Sequence, residues 1–357
     1  DRLQLSTDEV TKVHRKFTYF PEKDRIKSSL DGVKDHLKLS DAQLRKMILR
    51  QPIIISCSFD AKSKQRLDSV QNYLELSDDE MRKMMLTHPI IFTYSFDDNI
   101  KPTLDSVRDH LKLSSNELRK ILLRQPQVIS CSFDDNIKPT LNALQDHLKL
   151  SDDELRKMIL SLPSIINLNF YNNIKPTLNA LQNRLKLSDD ELRKLTRTLP
   201  AIISLNFNDN IEPTLDILQH RLKISDLELK KMVVTMPSII GSSNIVPKLD
   251  WLQTTFNLNQ FQLVDLVNKQ KMLMSVNLEK TLVPGVAFWR ECFKDRTDVE
   301  AMAEIIRMPR ELTQSNKRLQ KRSALFKERC IPLKLLWGKA NYSDSRLDAW
   351  IENHLII

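Results

Sequence analysis

The sequence predicts an all-α protein, a solenoid of about nine units. Two observations predict it: a fixed 37-residue period, and a helix-start signature that travels with it. Pro52, Pro89, Pro126, Pro163, Pro200 and Pro237 stand at that interval. So do Pro102, Pro139, Pro176 and Pro213, and so do Phe59, Phe96, Phe133, Phe170 and Phe207. A period of about 20–50 residues marks a stacked array, in which each unit buries its apolar face against its neighbours. Only four glycines occur and 41% of residues are hydrophobic, which suits helices joined by few tight turns.

Within a unit the first helix opens at a proline. In "NIKPTLNALQNRL", Pro176 sits where a missing N–H costs nothing. Ile174, Leu178, Leu181 and Leu185 recur at helical spacing and make one apolar stripe. The second helix opens at a capping box, in which Ser151 accepts from the N–H of Glu154 and the Glu154 carboxylate reaches back. Leu155, Met158, Ile159 and Leu162 then line its inner face. Pro163 ends it, because the residue before a proline avoids the α region. The segment that follows, "SIINLNF", reads locally either as a short strand or as a 3₁₀ turn.

The box recurs at Ser6–Glu9, Ser40–Gln43, Ser77–Glu80, Ser114–Glu117, Ser151–Glu154, Ser188–Glu191 and Ser225–Glu228. Asn259–Gln262 and Thr297–Glu300 are looser versions. Ser343 is expected to cap a last helix with Leu347, Trp350 and Ile351 as its apolar face. The domain reading is one solenoid over residues 1–340 and a capping helix over 341–357.

Net charge is +9, and its distribution is uneven. From Arg307 to Lys339 ten Lys or Arg face only Glu311 and Glu328, so this segment holds nearly the whole excess. A concentrated basic patch is the footprint of a polyanion, because each neutralised phosphate releases condensed counterions. Arg–Lys pairs such as Arg119–Lys120 and Arg156–Lys157 recur on the second helices. They are expected to be a solvated face paired with acids of the same helix. The five recurrent phenylalanines are expected to plug the core between units.

No run is apolar and long enough to span a bilayer. No targeting segment is visible, and Asp1 in place of a methionine leaves room for a leader upstream. Cys57 and Cys131 share a repeat position and are expected to be small buried residues; no C-x-x-C pair exists to suggest zinc or dithiol chemistry. His36, His110 and His147 also share one position, which suits helix surface or partial core rather than catalysis. No nucleophile motif or Gly-rich phosphate loop occurs, so neither an enzyme nor a cofactor, metal or small-molecule substrate is expected.

"LSDDELRKMILSLPSII" followed by "NIKPTLNALQ" resembles the repeat of the mitochondrial transcription termination factor (mTERF) family. "MPRELTQSNKRLQKRSALFKERCIP" resembles its closing motif, and "YSDSRLDAWI" its terminal helix. The resemblance implies two α-helices and a short 3₁₀ helix per unit, a left-handed superhelix with a basic groove, and action on organellar DNA or RNA. It implies a mitochondrial location, with the chloroplast as the alternative. Ser28 and Gln65 depart from it by replacing the helix-opening proline, and Lys271 by replacing the closing one; those joints are expected to bend differently. Arg322 after Lys321 stands where the family tends to place Pro-Arg.

The expected partner is structured RNA, ribosomal RNA among the candidates, or double-stranded DNA. The leading contacts are Arg310, Lys317, Arg318, Lys321 and Arg322, with Arg307 beside them. Arg50, Arg124 and Arg197 in the last turns of second helices, and Lys101, Lys138 and Lys175 at the starts of first helices, extend the set. The uniformity of units three to seven suits recognition of shape and backbone rather than one base per repeat. The alternative is a structural subunit of an organellar ribosome, with ribosomal or other organellar proteins as partners.

Overall fold

A computed structural model describes residues 6–15, 22–241 and 245–354. Among these every regular element is helical and none is a strand. All nine capping boxes form, with both reciprocal hydrogen bonds in each. The segment after each closing proline is a 3₁₀ helix: Pro52–Ser56, Pro89–Thr93, Pro126–Ser130, Pro163–Asn167, Pro200–Ser204, Pro237–Ile239 and Pro309–Thr313. Steric exclusion explains the break. The residue before the proline sits at φ near −140° and ψ near 75°, as His88 (−139°, 71°) and Leu162 (−134°, 79°) do, outside the α region. Leu162, expected on the inner face, is therefore already beyond the helix and only half buried.

Lys271 departs from this in an informative way. The residue before it, Gln270, keeps φ −134° and ψ 70° without a proline to impose them. What changes is the next turn, which is a short α-helix, Met272–Ser275, instead of 3₁₀. The bend at the joint belongs to the packing, and the proline only reinforces it.

A π turn precedes the first helices opened by Pro102, Pro139, Pro176, Pro213 and Pro284, a feature not anticipated. The Ile100 N–H donates to Ser95 O at 3.1 Å, and the Lys101 N–H to Phe96 O, both five residues back. The pyrrolidine of Pro102 has no N–H and crowds the carbonyl four residues back, so the turn widens. Ser95 caps it through Asp98 N–H, and Asn99 returns a bond to Ser95 N–H. Where Gln65 replaces the proline, no π turn forms and the α-helix runs back to Ala61. The same holds at Ser28, inside helix Lys23–His36. Those two joints do differ, as expected.

First helices end in a left-handed residue that is not glycine. Lys38, Glu75, Lys112, Lys149, Lys186 and Lys223 have φ between 50° and 52°. The following leucine, or Ile224 after Lys223, closes the turn, Leu150 N–H donating to Gln145 O at 2.9 Å, and is itself buried. Each left-handed L-residue costs about 1–2 kcal/mol. Burying the leucine behind it, worth about 1.5–3 kcal/mol, offsets that.

The core is the expected one. Ile174, Leu178, Leu181, Leu185, Leu155, Met158 and Ile159 are all buried. Phe170 is buried, while Phe59, Phe96, Phe133 and Phe207 are half buried. Rings pair across units: His36 with Phe59, His110 with Phe133 and His147 with Phe170, each at 5.6 Å. The phenylalanines are plugs between units, and the histidines are their partners. Cys57 and Cys131 are half exposed rather than buried; the Cys131 thiol reaches Gln127 O and Asn167 Oδ1.

Contacts divide the chain into two compact units, Asp1–Pro176 and Thr177–Ile357. The second closes on a small mixed core. Trp337 packs edge to face on Trp289 and Phe293, and Phe326 stacks on Trp350. The last helix, Asp344–His354, buries Leu347 and Ile351, and Ser343 Oγ accepts from Arg346 N–H.

Candidate nucleic-acid interface

The basic segment occupies the 3₁₀ turn Pro309–Thr313, the helix Asn316–Glu328 and the turns up to Lys339. Its ten cations do not share one fate. Helix Asn316–Glu328 buries Leu319, Arg322 and Phe326 on one side. At about 100° per residue, Lys317, Lys321 and Lys327 fall on the opposite side, and all three are exposed.

Arg322 is only 2% exposed. Its Nη1 donates to Lys339 O at 3.2 Å and Ala340 O at 2.6 Å, and its Nη2 to Tyr342 O and to Asp344 Oδ1 at 2.9 Å. Arg318 also donates to Tyr342 O, at 2.5 Å. Two of the expected phosphate contacts are thus spent on the backbone of residues 339–342. Arg322 is corrected outright: its guanidinium staples the segment between the basic helix and the terminal helix. Beneath it, buried Glu311 accepts from Asn341 at 2.7 Å, and burial pushes its carboxyl above the ordinary range.

The other cations sort by partner. Arg307 pairs with Glu304 at 2.6 Å, Lys334 with Asp295 at 3.6 Å, and Lys339 lies over the Trp350 ring. Lys321, 79% exposed, is 3.6 Å from Asp344. Arg310, Lys317, Lys327 and Arg329 are exposed, and their side chains make no ion pair or hydrogen bond to a described residue, although the Arg310 charge acts on the buried Glu311 carboxyl. Lys327 and Arg329 were counted in the basic segment but not singled out; only their direction in the folded helix distinguishes them. No acid lies in the first turn of this helix, unlike eight of the nine capping-box helices, Gln260–Lys269 being the exception. Its positive end is therefore uncompensated and suits an anion.

In the repeats before the basic segment the expected cations are also divided. Arg124 donates to Leu160 O and Ser161 O, both at 2.8 Å, capping the second helix of the next repeat. Arg50 and Arg197 are exposed in last turns. Lys101, Lys138 and Lys175 are exposed at first-helix starts; Lys138 is 3.9 Å from Asp134, and Lys175 lies over the Tyr171 ring.

The Arg–Lys pairs are consumed structurally, in part as expected: within one helix Arg82 pairs with Asp79 at 2.5 Å and Lys157 with Asp153 at 2.7 Å. Arg119 pairs with Glu80 at 2.5 Å, Arg156 with Glu117 at 2.6 Å and Lys230 with Glu191 at 2.7 Å. In these three pairs the acid is the capping-box glutamate of the preceding repeat, a partner the sequence reading does not anticipate. Ser77 N–H and then Arg119 hold the Glu80 carboxyl down to about 2; Arg156 and then Ser114 N–H do the same for Glu117.

A model of the mTERF family matches residues 24–284. The chain belongs to the mTERF family. A search of curated proteins found no match. Family membership makes this a helical-repeat protein of a kind that generally binds nucleic acid in organelles without enzymatic activity. In this mTERF protein the basic segment lies beyond the matched stretch, which ends at residue 284. Among the described residues no helix is long and apolar enough to cross a membrane, and no cluster of His, Cys, Asp and Glu could hold a metal ion.

Proposed function

We propose that this mTERF protein binds structured RNA or double-stranded DNA in mitochondria and regulates organellar gene expression through the exposed face of its C-terminal basic helix. One observation carries the reading. Within the segment that holds nearly all the net charge, Lys317, Lys327 and Arg329 are exposed and form no ion pair among the described residues, and exposed Arg310 faces only the neighbouring buried Glu311. Lys321 joins them, since an exposed pair at 3.6 Å is worth little and is exchanged easily for a phosphate. Arg307, Lys101, Lys138, Lys175, Arg50 and Arg197 are secondary contacts. Arg318 and Arg322 shape the surface from beneath.

Recognition is of backbone and shape. Lysine is a point charge on a flexible stem, suited to phosphate oxygens rather than to bidentate reading of a base edge. Measuring affinity for a duplex and for a structured RNA across salt tests this. Log affinity should fall linearly with log salt, with a slope set by the phosphates neutralised. A flat salt response would overturn it.

A further inference from the structure

We propose that Tyr171, Asn172 and Lys175 form a subsite for one unpaired nucleotide, which favours a bulged or looped RNA over an uninterrupted duplex. The proposal rests on the nucleic-acid reading above and adds a base contact to it. Tyr171 follows Phe170 in the π turn Phe170–Ile174, which leads into the first helix Lys175–Leu185. It is 64% exposed. The same position in neighbouring repeats holds Asp60, Asp97, Asp134 and Asn208, and the position of Asn172 holds Asp98, Asp135 and Asp209. No Asp or Glu occurs between Glu154 and Asp189. Two earlier corners set two carboxylates beside one lysine: Asp97 and Asp98 beside Lys101, Asp134 and Asp135 beside Lys138. At Tyr171 only the lysine is kept. Lys138 lies 3.9 Å from Asp134, whereas Lys175 makes no ion pair with a described residue.

The tyrosine ring is anchored from below and open above. Buried Phe170 meets it edge to face at 5.2 Å, and meets His147 of the preceding first helix at 5.6 Å. Lys175 Nζ stands 5.8 Å from the ring centre. The turn beneath is fixed by its own amides: Asn172 N–H donates to Asn169 Oδ1 at 2.9 Å, and Asn169 N–H to Asn173 Oδ1 at 3.0 Å. The side-chain amide of Asn172 is exposed and makes no hydrogen bond to a described residue.

Five consecutive residues therefore offer a ring for a base face, an amide for a base edge and an ammonium for a phosphate. Unpaired bases are recognised by that combination, stacked on aromatic side chains and hydrogen-bonded at their exposed edges. In an uninterrupted duplex the faces are already stacked and the pairing edges occupied, so it could use only Lys175. An acidic peptide would likewise use the ammonium alone. An aspartate in place of Tyr171, as in three neighbouring repeats, would repel the phosphate. One such corner adds one base to a recognition otherwise made of backbone contacts, and does not amount to a code read repeat by repeat.

The test compares the full chain on an RNA duplex and on the same duplex carrying a bulge that contains 5-iodouridine, by fluorescence anisotropy and by ultraviolet crosslinking. Three results are expected: tighter binding of the bulged RNA, an adduct at Tyr171, and a selective loss in Y171A. That loss should be about 5- to 150-fold on the bulged RNA, the range for one base stacked on an aromatic side chain, with affinity for the duplex unchanged. Y171F keeps the ring and should bind as the wild type does; Y171D should lose at least as much as Y171A. With the wild type bound to RNA, an equal loss on both RNAs, no loss on either, or an adduct only at other residues would overturn this proposal and leave the nucleic-acid reading standing. Wild-type protein that binds neither RNA would overturn both.

Discussion

Two cation substitutions on one helix should have opposite signatures. Lys317 and Lys321 are one turn apart on the exposed face, whereas Arg322, the next residue, is 2% exposed and donates to three carbonyls and a carboxylate. On a B-form duplex each phosphate contact contributes about 0.9 to the slope of log affinity against log salt. K317A/K321A should therefore lower that slope by about 1.8. Referred to 1 M salt, that is about a 30-fold loss of affinity at ~0.15 M, with little change in melting temperature. R322A should do the reverse. Removing a buried charged partner costs about 3–5 kcal/mol, and a unit of this size shifts about 2–4 °C per kcal/mol. A fall of about 6–20 °C is expected, with the slope unchanged below the transition. Fluorescence anisotropy at four salt concentrations reads the first quantity and differential scanning fluorimetry the second. An unchanged slope in K317A/K321A, or a lowered slope without thermal loss in R322A, would refute the division of labour.

Other substitutions probe the scaffold. S151A removes the acceptor for Glu154 N–H and should cost about 1 kcal/mol in a denaturant melt. R124A frees the Leu160 and Ser161 carbonyls; it should cost about 1 kcal/mol and leave the salt slope as it is, which separates a capping arginine from a phosphate contact. Glu117 titrates at about 2 in the folded chain against an ordinary 4.5. Its contribution is therefore complete above pH ~4.5 and lost as pH falls towards ~2, so E117Q should flatten the stability decline in that window in an acid titration followed by circular dichroism. Gly338 has φ +76° with Met308 Cε 3.3 Å from where a Cβ would stand, so G338A should destabilise the C-terminal core by at least about 1–2 kcal/mol.

Local chemistry was legible in the sequence, and partners far along the chain were not. Every capping box and closing proline acts within four residues, so Ser151–Glu154 and Pro163 could be read directly. The π turn escaped because it follows from what Pro102 denies the carbonyl before it, a steric consequence that leaves no residue signature of its own. Arg156 was assigned to acids of its own helix because Asp153 lies three residues away; the fold gives it Glu117, at 2.6 Å against 3.8 Å for Asp153. Composition located the basic segment but carries no direction, so Arg322 and Lys321 looked alike. The fold separates them by about 100° of helix rotation.

That rotation bears on how a repeat protein divides its charge. A 37-residue period copies every cation into a ladder, and a ladder of unpaired cations along a stack would repel itself. Here the second-helix ladder is matched by an equally periodic ladder of capping glutamates, so Arg119 meets Glu80 and Arg156 meets Glu117. Each such glutamate ends a helix dipole and ties two repeats together with one carboxylate. The periodic charge is thereby largely self-neutralised. Charge that must meet an outside polyanion has to break the period, and the basic helix Asn316–Glu328 does so: its first turn carries Lys317 and Arg318 where eight of the nine capping-box helices carry an acid. The break in the repeat is where binding charge is free to accumulate.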